Sequence, residues 1–286
     1  MSKNKNDGMS VGMKRQNNWW VHIILLMGCL ICVFPLLRIL TVAFKPGDSI
    51  FSTSFEFWPA SPTWNNFYRV LFETDFFVWL FNSVVITCLT AFIGVSLAAT
   101  AAYALSRYKF PMRSSILIFL MATQMIPGVM LLLPLYFMVK KFELFDSYAG
   151  VIVVYSMTTL PFCVWLLKGY FDTIPRSLEE AAQVDGLTEV GSFWKIVLPL
   201  STPSLAIAFL FAVTQAWNEY IVARVILQNS KLFTWPLGIV ELQGSFDTKW
   251  GMFAAASTLV TIPVTAVFLY SSKWLLSGLT LGGVKG

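Results

Sequence analysis

Long stretches without Asp, Glu, Lys or Arg dominate the sequence. Six of them contain at least 21 residues each, and they cover 16–37, 76–106, 114–139, 147–167, 196–218 and 250–272. Because about 20 apolar residues in a helix cross the roughly 30 Å hydrocarbon layer, each stretch is long enough to span a membrane. The pattern predicts an all-α, polytopic membrane protein with six transmembrane helices.

The composition of the chain agrees with this pattern. Hydrophobic residues make up 57% of the 286 residues, and only 12% are charged. An ordinary soluble domain is about 25% charged, so this balance excludes a water-facing globular protein of the same size. All four cysteines lie inside the uncharged stretches, where a thiol behaves as a small apolar side chain.

Residue types that carry enzymatic or metal chemistry are scarce. His22 is the only histidine, and no second ligand pair accompanies Cys29 and Cys32, so we expect no metal site. The chain lacks the common nucleophile and zinc motifs, and also the glycine-rich loop that cradles nucleotide phosphates. The sequence outside the spans contains no basic stripe with interleaved aromatic residues, the pattern that would indicate nucleic-acid binding. We therefore expect no catalytic residue and no cofactor on this chain.

The distribution of Lys and Arg predicts the orientation. Segments on one side of the six stretches hold 12 basic residues, and those on the other side hold seven. Since cytosolic loops carry the excess of positive charge, both termini are expected in the cytosol. The chain then divides into a disordered cytosolic tail at 1–18, a six-helix transmembrane domain at 19–276 and a cytosolic tail at 277–286.

The loop 168–199 is the one long loop on the predicted cytosolic side, and it holds five of the fifteen acidic residues. Ser177-Leu178-Glu179-Glu180 matches a capping box, in which the Ser177 hydroxyl and the Glu180 carboxylate each accept from the other residue's backbone amide. A helix is therefore expected from Leu178 onward, with its carboxylates exposed.

The same loop carries signals for the end of that helix and for a second one. Gly186 can take the left-handed conformation of a helix end, so the first helix is expected to stop there. A second helix is expected after Thr188 as far as Leu198, with Pro199 opening the fifth span. Two short helices hinged at a glycine would form a compact projection rather than a flexible connector.

These residues carry a family resemblance. Glu180-Ala181-Ala182, then Gly186 after three residues and Ile196-x-Leu198-Pro199 after nine more, resemble the signature loop of the permease subunits of bacterial ATP-binding-cassette (ABC) importers. The resemblance implies the type I importer permease fold and a coupling helix that docks in a cleft on a separate cytosolic ATPase subunit. The residues so implicated in coupling are Glu179, Glu180, Ala181, Ala182, Asp185, Gly186, Ile196, Leu198 and Pro199.

Further resemblances point to the carbohydrate branch of that family. The ending Ser277 to Gly286 is similar to that of maltose-type permeases, in particular the smaller subunit of the permease pair. The segments Trp250 to Ala256 and Ala216 to Glu219 resemble the same branch. In maltose-type relatives the tail reaches the interface between the two ATPase subunits. The resemblance implies the same contact for Gly282, Gly283, Val284, Lys285 and Gly286.

Polar groups inside the apolar stretches leave two interpretations open. Arg38 and Glu219 are expected near the outer ends of their spans, where they either pair or reach separately toward the interface. Gln124, Gln215, Asn218 and Glu219 either line a sugar pathway or bond neighbouring helices, the commoner use of amides in membranes. The motifs specify coupling and do not identify the sugar.

The resemblance implies a heteromeric complex in a bacterial cytoplasmic (inner) membrane. Its other members would be a homologous second permease subunit, two cytosolic ATPase subunits that bind ATP and Mg²⁺, and an extracytoplasmic sugar-binding protein. Closure of the ATPase pair would switch the bundle between inward-open and outward-open states. Maltose or a malto-oligosaccharide is the expected substrate, with trehalose or a galacto-oligosaccharide as alternatives.

Two other classes explain several apolar spans. A secondary transporter would show inverted repeats and broken midplane helices with ion ligands, which are not visible in the sequence. A membrane scaffold accounts for the spans but leaves the 168–199 loop unexplained. Copurification with an ATPase subunit would separate these classes from an ABC permease.

Overall fold

The computed structural model describes residues 19–47, 57–244 and 248–283, with side chains as far as 271. The predicted tail at 1–18 lies outside these ranges. Within them, the regular structure is helical apart from one isolated β-bridge between Gln243 and Thr248. The all-α prediction is confirmed for the described part of the chain.

Most of the helices follow one another with short connections, and the longest separation lies between α1 and α2. In chain order they are α1 (Trp19–Ala43), α2 (Asn65–Glu73), α3 (Phe76–Arg107), α4 (Arg113–Thr123), α5 (Gly128–Lys141), α6 (Tyr148–Phe171), α7 (Arg176–Val184), α8 (Glu189–Ser192), α9 (Leu198–Leu200), α10 (Thr202–Asn218), α11 (Ile221–Ile226), α12 (Trp235–Glu241) and α13 (Trp250–Gly283). A π-helical turn, Phe193–Val197, joins α8 to α9, and a 3-10 turn, Ser230–Leu232, precedes α12.

Four helices are long and apolar enough to cross a membrane alone, namely α1, α3, α6 and the Trp250–Ser271 part of α13. Two further pairs of helices are long and apolar enough only when the two helices of a pair are counted as one span. They are α4 with α5, bent by 102°, and the Glu189–Leu200 segment with α10, bent by 78°. The described chain therefore has four to six candidate spans.

The uncharged stretch 114–139 does not form the single helix that its length predicts. The backbone leaves the helical region at Pro127, where ψ is 127°, and α5 restarts at Gly128. Proline has no amide hydrogen to donate, and its ring restricts the backbone of the preceding residue. Both effects favour a helix break at this position. The absence of charge identifies an apolar segment but not the point at which its helix breaks.

The predicted start of the fifth span at Pro199 is also wrong. Pro199 lies in α9, and the break comes at Ser201, after which α10 begins at Thr202. The π-helical turn precedes Pro199, and in it the Leu198 amide bonds the Phe193 carbonyl. A π turn shifts the hydrogen-bond register by one residue, which lets the helix continue through a residue without an amide hydrogen.

The long helices pack around α3. It contacts α6 and α10, while α10 also contacts α6 and α13, and α1 lies on α13. One buried cluster near the α2 and α12 end includes Trp79, Tyr155 and Trp217. A second, at the end that carries α7 and α8, includes Leu167 and Phe193. This second core is the support on which the 168–199 loop rests.

The last helix runs further than the sequence predicts. The backbone of α13 continues to Gly283, so 277–283 of the predicted cytosolic tail are helical. Of the residues expected in the ATPase interface, Gly282 and Gly283 belong to this helix. Val284, Lys285 and Gly286 lie outside the described residues.

Candidate coupling site

The first helix of the 168–199 loop starts differently from its prediction. α7 begins at Arg176 with Pro175 as its N-cap, and no side chain caps it. Ser177 therefore lies inside the first turn, and the predicted capping box with Glu180 is wrong. The Leu178 amide bonds the Pro175 carbonyl instead. The helix begins two residues earlier than predicted, directly after Pro175, whose ψ of 131° lies outside the helical region.

The turn between α7 and α8 forms as predicted at Gly186. Its φ is +90°, and its amide bonds the Gln183 carbonyl while the Leu187 amide bonds the Ala182 carbonyl. This pair of bonds is the Schellman motif of helix ends. Thr188 then caps α8, since its hydroxyl accepts from the Gly191 amide. We call residues 176–192, which comprise α7, this turn and α8, the knob.

Glu179, one of the residues implicated in coupling, does not have the exposed position that the sequence predicts. It is buried rather than exposed, with 5% of the residue accessible. Its carboxylate forms an ion pair with Arg107 at the end of α3 and accepts a 2.8 Å hydrogen bond from the Tyr103 hydroxyl. The expectation that it offers a carboxylate to a partner surface is wrong, because Arg107 already occupies it.

Arg107 joins more than one element. Besides the Glu179 carboxylate, its guanidinium donates to the Phe171 carbonyl at 3.0 Å and to the Ile174 carbonyl at 3.3 Å. Arg176 of α7 in turn donates to two carbonyls at the end of α3, those of Ser106 and Arg107, at 3.0 and 3.1 Å. The ends of α3, α6 and α7 are thereby held together by charged side chains.

A second cluster of polar side chains surrounds Asp172, which directly follows α6. Its carboxylate accepts from Lys168 at 2.6 Å and from Ser106 at 2.7 Å, and Arg113 lies 4.0 Å away. Burial raises the pKa of Asp172, but the hydrogen bonds from Lys168 and Ser106 and the nearby positive charges outweigh it, so the pKa lies below its usual value. Asp172 is therefore ionised at neutral pH.

Tyr108 makes a third link between α3 and the knob. Its hydroxyl donates a 2.6 Å hydrogen bond to the Glu189 carboxylate in α8. Hydrogen bonding to this anion raises the pKa of the Tyr108 phenol above its usual value. The phenol stays protonated at neutral pH and keeps its proton available to Glu189.

The opposite side of the knob is exposed and partly apolar. Val184 is 88% exposed and Val190 65%, and Trp194 of the following π turn is 61% exposed. The exposed face of the knob, as we use the term, consists of Leu178, Glu180, Ala181, Val184, Asp185, Gly186 and Val190. Contiguous exposed apolar residues rimmed by polar ones are typical of protein contact sites.

The implicated coupling residues therefore separate into groups. Glu180, Ala181, Asp185 and Gly186 share the exposed face, whereas Glu179 and Ala182 are buried beneath it. The remaining three implicated residues, Ile196, Leu198 and Pro199, come after the knob in the sequence. Ile196 and Leu198 are half-buried there, and Pro199 is exposed.

The polar residues of the spans mostly bond to backbone. Gln124, at the break between α4 and α5, donates to the Thr158 carbonyl of α6 at 3.1 Å. Asn218 donates to the Thr214 carbonyl one turn earlier. Gln215 lies exposed on α10. The amide of Gln124 thus bonds a neighbouring helix while the side chain remains exposed, and its place on a sugar pathway stays a prediction.

Glu219 has a structural role at the end of α10. Its two carboxylate oxygens accept from the backbone amides of Val222 and Ala223, at 3.0 to 3.2 Å. Amides at the start of a helix have no partner within it, and a carboxylate there also interacts favourably with the helix dipole. Glu219 therefore caps α11, a role that the sequence does not suggest.

Several residues of the site escape sequence analysis. Tyr103, Arg107, Asp172 and Arg176 are absent from the predicted site, although the structure assembles it around them. Arg107 does carry a signal, since it ends the longest uncharged stretch, 76–106. A charge at that position faces a loop with five carboxylates, but spacing along the chain does not say which of them it meets.

Comparison with known proteins gives a consistent result. Residues 91–280 match the family described as "Binding-protein-dependent transport system inner membrane component". The chain is 33% identical to the sulfoquinovosyl glycerol transport system permease protein SmoH of Agrobacterium fabrum, with 89% of each chain covered. It is 34% identical to the maltose/maltodextrin transport system permease protein MalG of Escherichia coli K12, over 93% of this chain and 95% of that one.

A solved structure shows the same fold. A chain of a bacterial ABC transporter that imports the acidic polysaccharide alginate superposes with a TM-score of 0.77 at 23% identity, covering 89% of this chain and 95% of that one. The helical fold, the matched family and the full-length relatives agree with one another. The chain belongs to the binding-protein-dependent transport system inner membrane component family, as a permease of the carbohydrate ABC importers.

Proposed function

We propose that the chain is the transmembrane permease subunit of an ATP-driven importer of maltose or malto-oligosaccharides. It crosses the bacterial inner membrane six times with both termini in the cytosol, and it couples ATPase closure to alternating access. The observation that carries this proposal is the knob, a structured projection fixed to α3 and α6 whose opposite face is exposed.

The six crossings follow if each bent pair counts as one span. The predicted cytosolic side is then the side of the knob, which agrees with the excess of Lys and Arg. Non-helical backbone at membrane depth is tolerated where it is covered by protein or lines a water-filled cavity. The break at Ser201 is covered by this chain itself, since Ser201 is fully buried. The break at 124–127 is exposed and would therefore face the partner permease or the sugar pathway.

The exposed face of the knob suits an ATPase subunit as its partner. The small Ala181 lets a partner surface approach α7 closely, while Val184 supplies apolar area. Glu180 and Asp185 offer carboxylates to Lys or Arg on that surface. ATP and Mg²⁺ would bind to the ATPase subunits, and this chain would contribute no catalytic group.

The remaining partners are a second permease subunit and an extracytoplasmic sugar-binding protein. An apolar cleft of about 980 Å³ between α4, α6 and α10, lined in part by Leu117, Met121 and Trp165, offers a surface for the second permease. A solved alginate ABC transporter in complex with an alginate pentasaccharide-bound periplasmic protein has the same fold, with a TM-score of 0.66. That complex supports a binding-protein partner for this chain.

The choice of maltose rests on the maltose/maltodextrin permeases among the relatives. Other relatives are named for sulfoquinovosyl glycerol and alginate, so the shared fold serves sugars of different charge and length. Competition of labelled maltose uptake by maltotriose, trehalose and a galacto-oligosaccharide identifies the substrate. Uptake displaced by trehalose but not by maltotriose would reject malto-oligosaccharides and leave the importer assignment intact.

The importer assignment itself is tested by purification. A tagged chain, produced in its native host and solubilised in mild detergent, should copurify with an ATPase subunit. The variant Val184→Glu places a charge on the exposed face of the knob and should reduce that copurification. A wild-type chain that purifies without any ATPase would favour a secondary transporter or a scaffold.

A further inference from the structure

A buried ion pair fixes the knob to the end of α3. The side chains of Arg107 and Glu179 are only 8% and 7% exposed. The 32 residues of α3 extend for about 48 Å at 1.5 Å per residue, well beyond the roughly 30 Å hydrocarbon layer. Arg107 at its last position therefore lies past the membrane, at the level of the knob.

Burial makes this pair sensitive to separation. Removing two charges from water is unfavourable unless they stay paired and hydrogen-bonded, and leaving one of them alone is strongly destabilising. Arg107 satisfies its guanidinium with Glu179 of α7, with the Phe171 carbonyl that ends α6, and with the Ile174 carbonyl between them. Displacement of α7 relative to α3 would break the bond to Glu179, and also the bonds that Arg176 of α7 donates to the Ser106 and Arg107 carbonyls.

The second helix of the knob is tied to the same group. The Tyr103 hydroxyl bonds Glu179, and its ring packs against Phe193, which follows α8, with ring centroids 4.7 Å apart. Tyr108 bonds the Glu189 carboxylate of α8. Both helices of the knob therefore contact the last two turns of α3 through buried or charge-assisted links.

We propose that the Arg107–Glu179 pair is the positioning contact that transmits movement of the knob to α3. This inference rests on the proposed function. A force on the exposed face of the knob cannot displace the knob alone through the short connection 172–175. Movement of α7 relative to α3 would leave a buried charge of the Arg107–Glu179 pair without its partner. α3 moves with the knob instead, and since α3 packs on α6 and α10, the displacement reaches the bundle.

Glu179 and Glu180 therefore have different tasks. Glu180 is exposed and available to a partner, whereas the carboxylate of Glu179 is buried and bonds Arg107 and Tyr103. Replacing either with Gln keeps its size and removes its charge. The two substitutions form a matched pair that separates attachment of the ATPase from transmission within the permease.

The experiment uses the reconstituted complex of both permeases, the ATPase subunits and the sugar-loaded binding protein. With Glu179→Gln, normal amounts of ATPase should copurify, while stimulation of ATP hydrolysis by the loaded binding protein and sugar uptake both fall about fivefold or more. With Glu180→Gln, the loss should appear as weaker ATPase attachment. Arg107→Lys, which keeps the charge, should retain more stimulation than Arg107→Gln.

The outcomes separate the inference from the proposed function. Wild-type stimulation and uptake in both Glu179→Gln and Arg107→Gln would overturn the transmission role while the importer assignment stands. Absence of ATPase from the wild-type complex would overturn both. If Glu179→Gln fails to insert, Glu179→Asp carries the test, because the shorter side chain keeps its charge but draws the carboxylate away from Arg107: reduced stimulation supports the inference and unchanged stimulation contradicts it.

Discussion

Glu179 and Glu180 are adjacent in the sequence, but their carboxylates lie in opposite environments. Helical spacing assigns both to a polar, exposed surface, and for Glu180 this is correct. For Glu179 it is wrong because its partner, Arg107, lies 72 residues earlier in the chain. Local patterns predict capping, turns and helix ends, whereas a buried ion pair depends on which helix ends meet in space.

Gly186 is a residue whose role the sequence does predict. Its φ is +90°, and a Cβ there would meet nothing within 4 Å. The penalty of Gly186→Val therefore comes from the backbone, about 1–2 kcal/mol for an L-residue in the left-handed region. We expect this variant to insert normally but to show weaker ATPase attachment, or hydrolysis that the loaded binding protein no longer stimulates.

Gly186→Asn is the matched control, since asparagine tolerates the left-handed conformation. It should stay close to wild type in a reconstituted assay of ATP hydrolysis. Wild-type transport and stimulation in Gly186→Val would show that the turn does not need its glycine and that the knob tolerates a displaced α7.

Gly238 of α12 marks a tight contact of a different kind. A Cβ at this position would lie 1.9 Å from the indole of Trp79, which is itself buried in α3. Gly238→Ala should lower the stability of the purified permease by about 1–3 kcal/mol, the usual effect of overpacking. Thermal unfolding in detergent measures this, with Gly28→Ala as the control because a Cβ at Gly28 has open space.

At the scale of the helices, the sequence predicts the apolar segments but not their breaks. Four of the six uncharged stretches correspond to the single helices α1, α3, α6 and α13, because a membrane span excludes charge. Prolines do not locate the breaks, since Pro35, Pro161 and Pro263 lie inside unbroken helices whereas Pro127 stands at a break. Whether a helix continues through a proline depends on which neighbours satisfy the freed carbonyls.

The break between α4 and α5 has a consequence for transport. If the bend serves movement, Pro127→Ala should reduce sugar uptake several-fold, because it restores an amide donor and favours a straighter helix. ATPase copurification should not change, because the knob is held by Tyr103, Arg107 and Tyr108 at the end of α3. Pro134→Ala, inside α5, is the matched control. Equal uptake in both variants would assign the bend to static packing.

At the scale of the whole molecule, the orientation of the bundle is open to direct measurement. Single cysteines at Ser61 and Ser177, both exposed, should react from opposite sides of the membrane. The four native cysteines are replaced first. In intact cells, with any outer membrane permeabilised, an impermeant maleimide should label the cysteine at Ser61 and spare the one at Ser177. Labelling of the Ser177 site would reverse the topology and place the knob outside.

Energy coupling is the central claim, and uptake into proteoliposomes tests it most directly. Vesicles that contain the full complex, with the sugar-binding protein outside and ATP inside, should accumulate labelled maltose or maltotriose. This uptake should require both ATP and the binding protein and should persist when ionophores dissipate every ion gradient. Uptake that proceeds without ATP and collapses with the ion gradient would contradict the account and identify a secondary transporter.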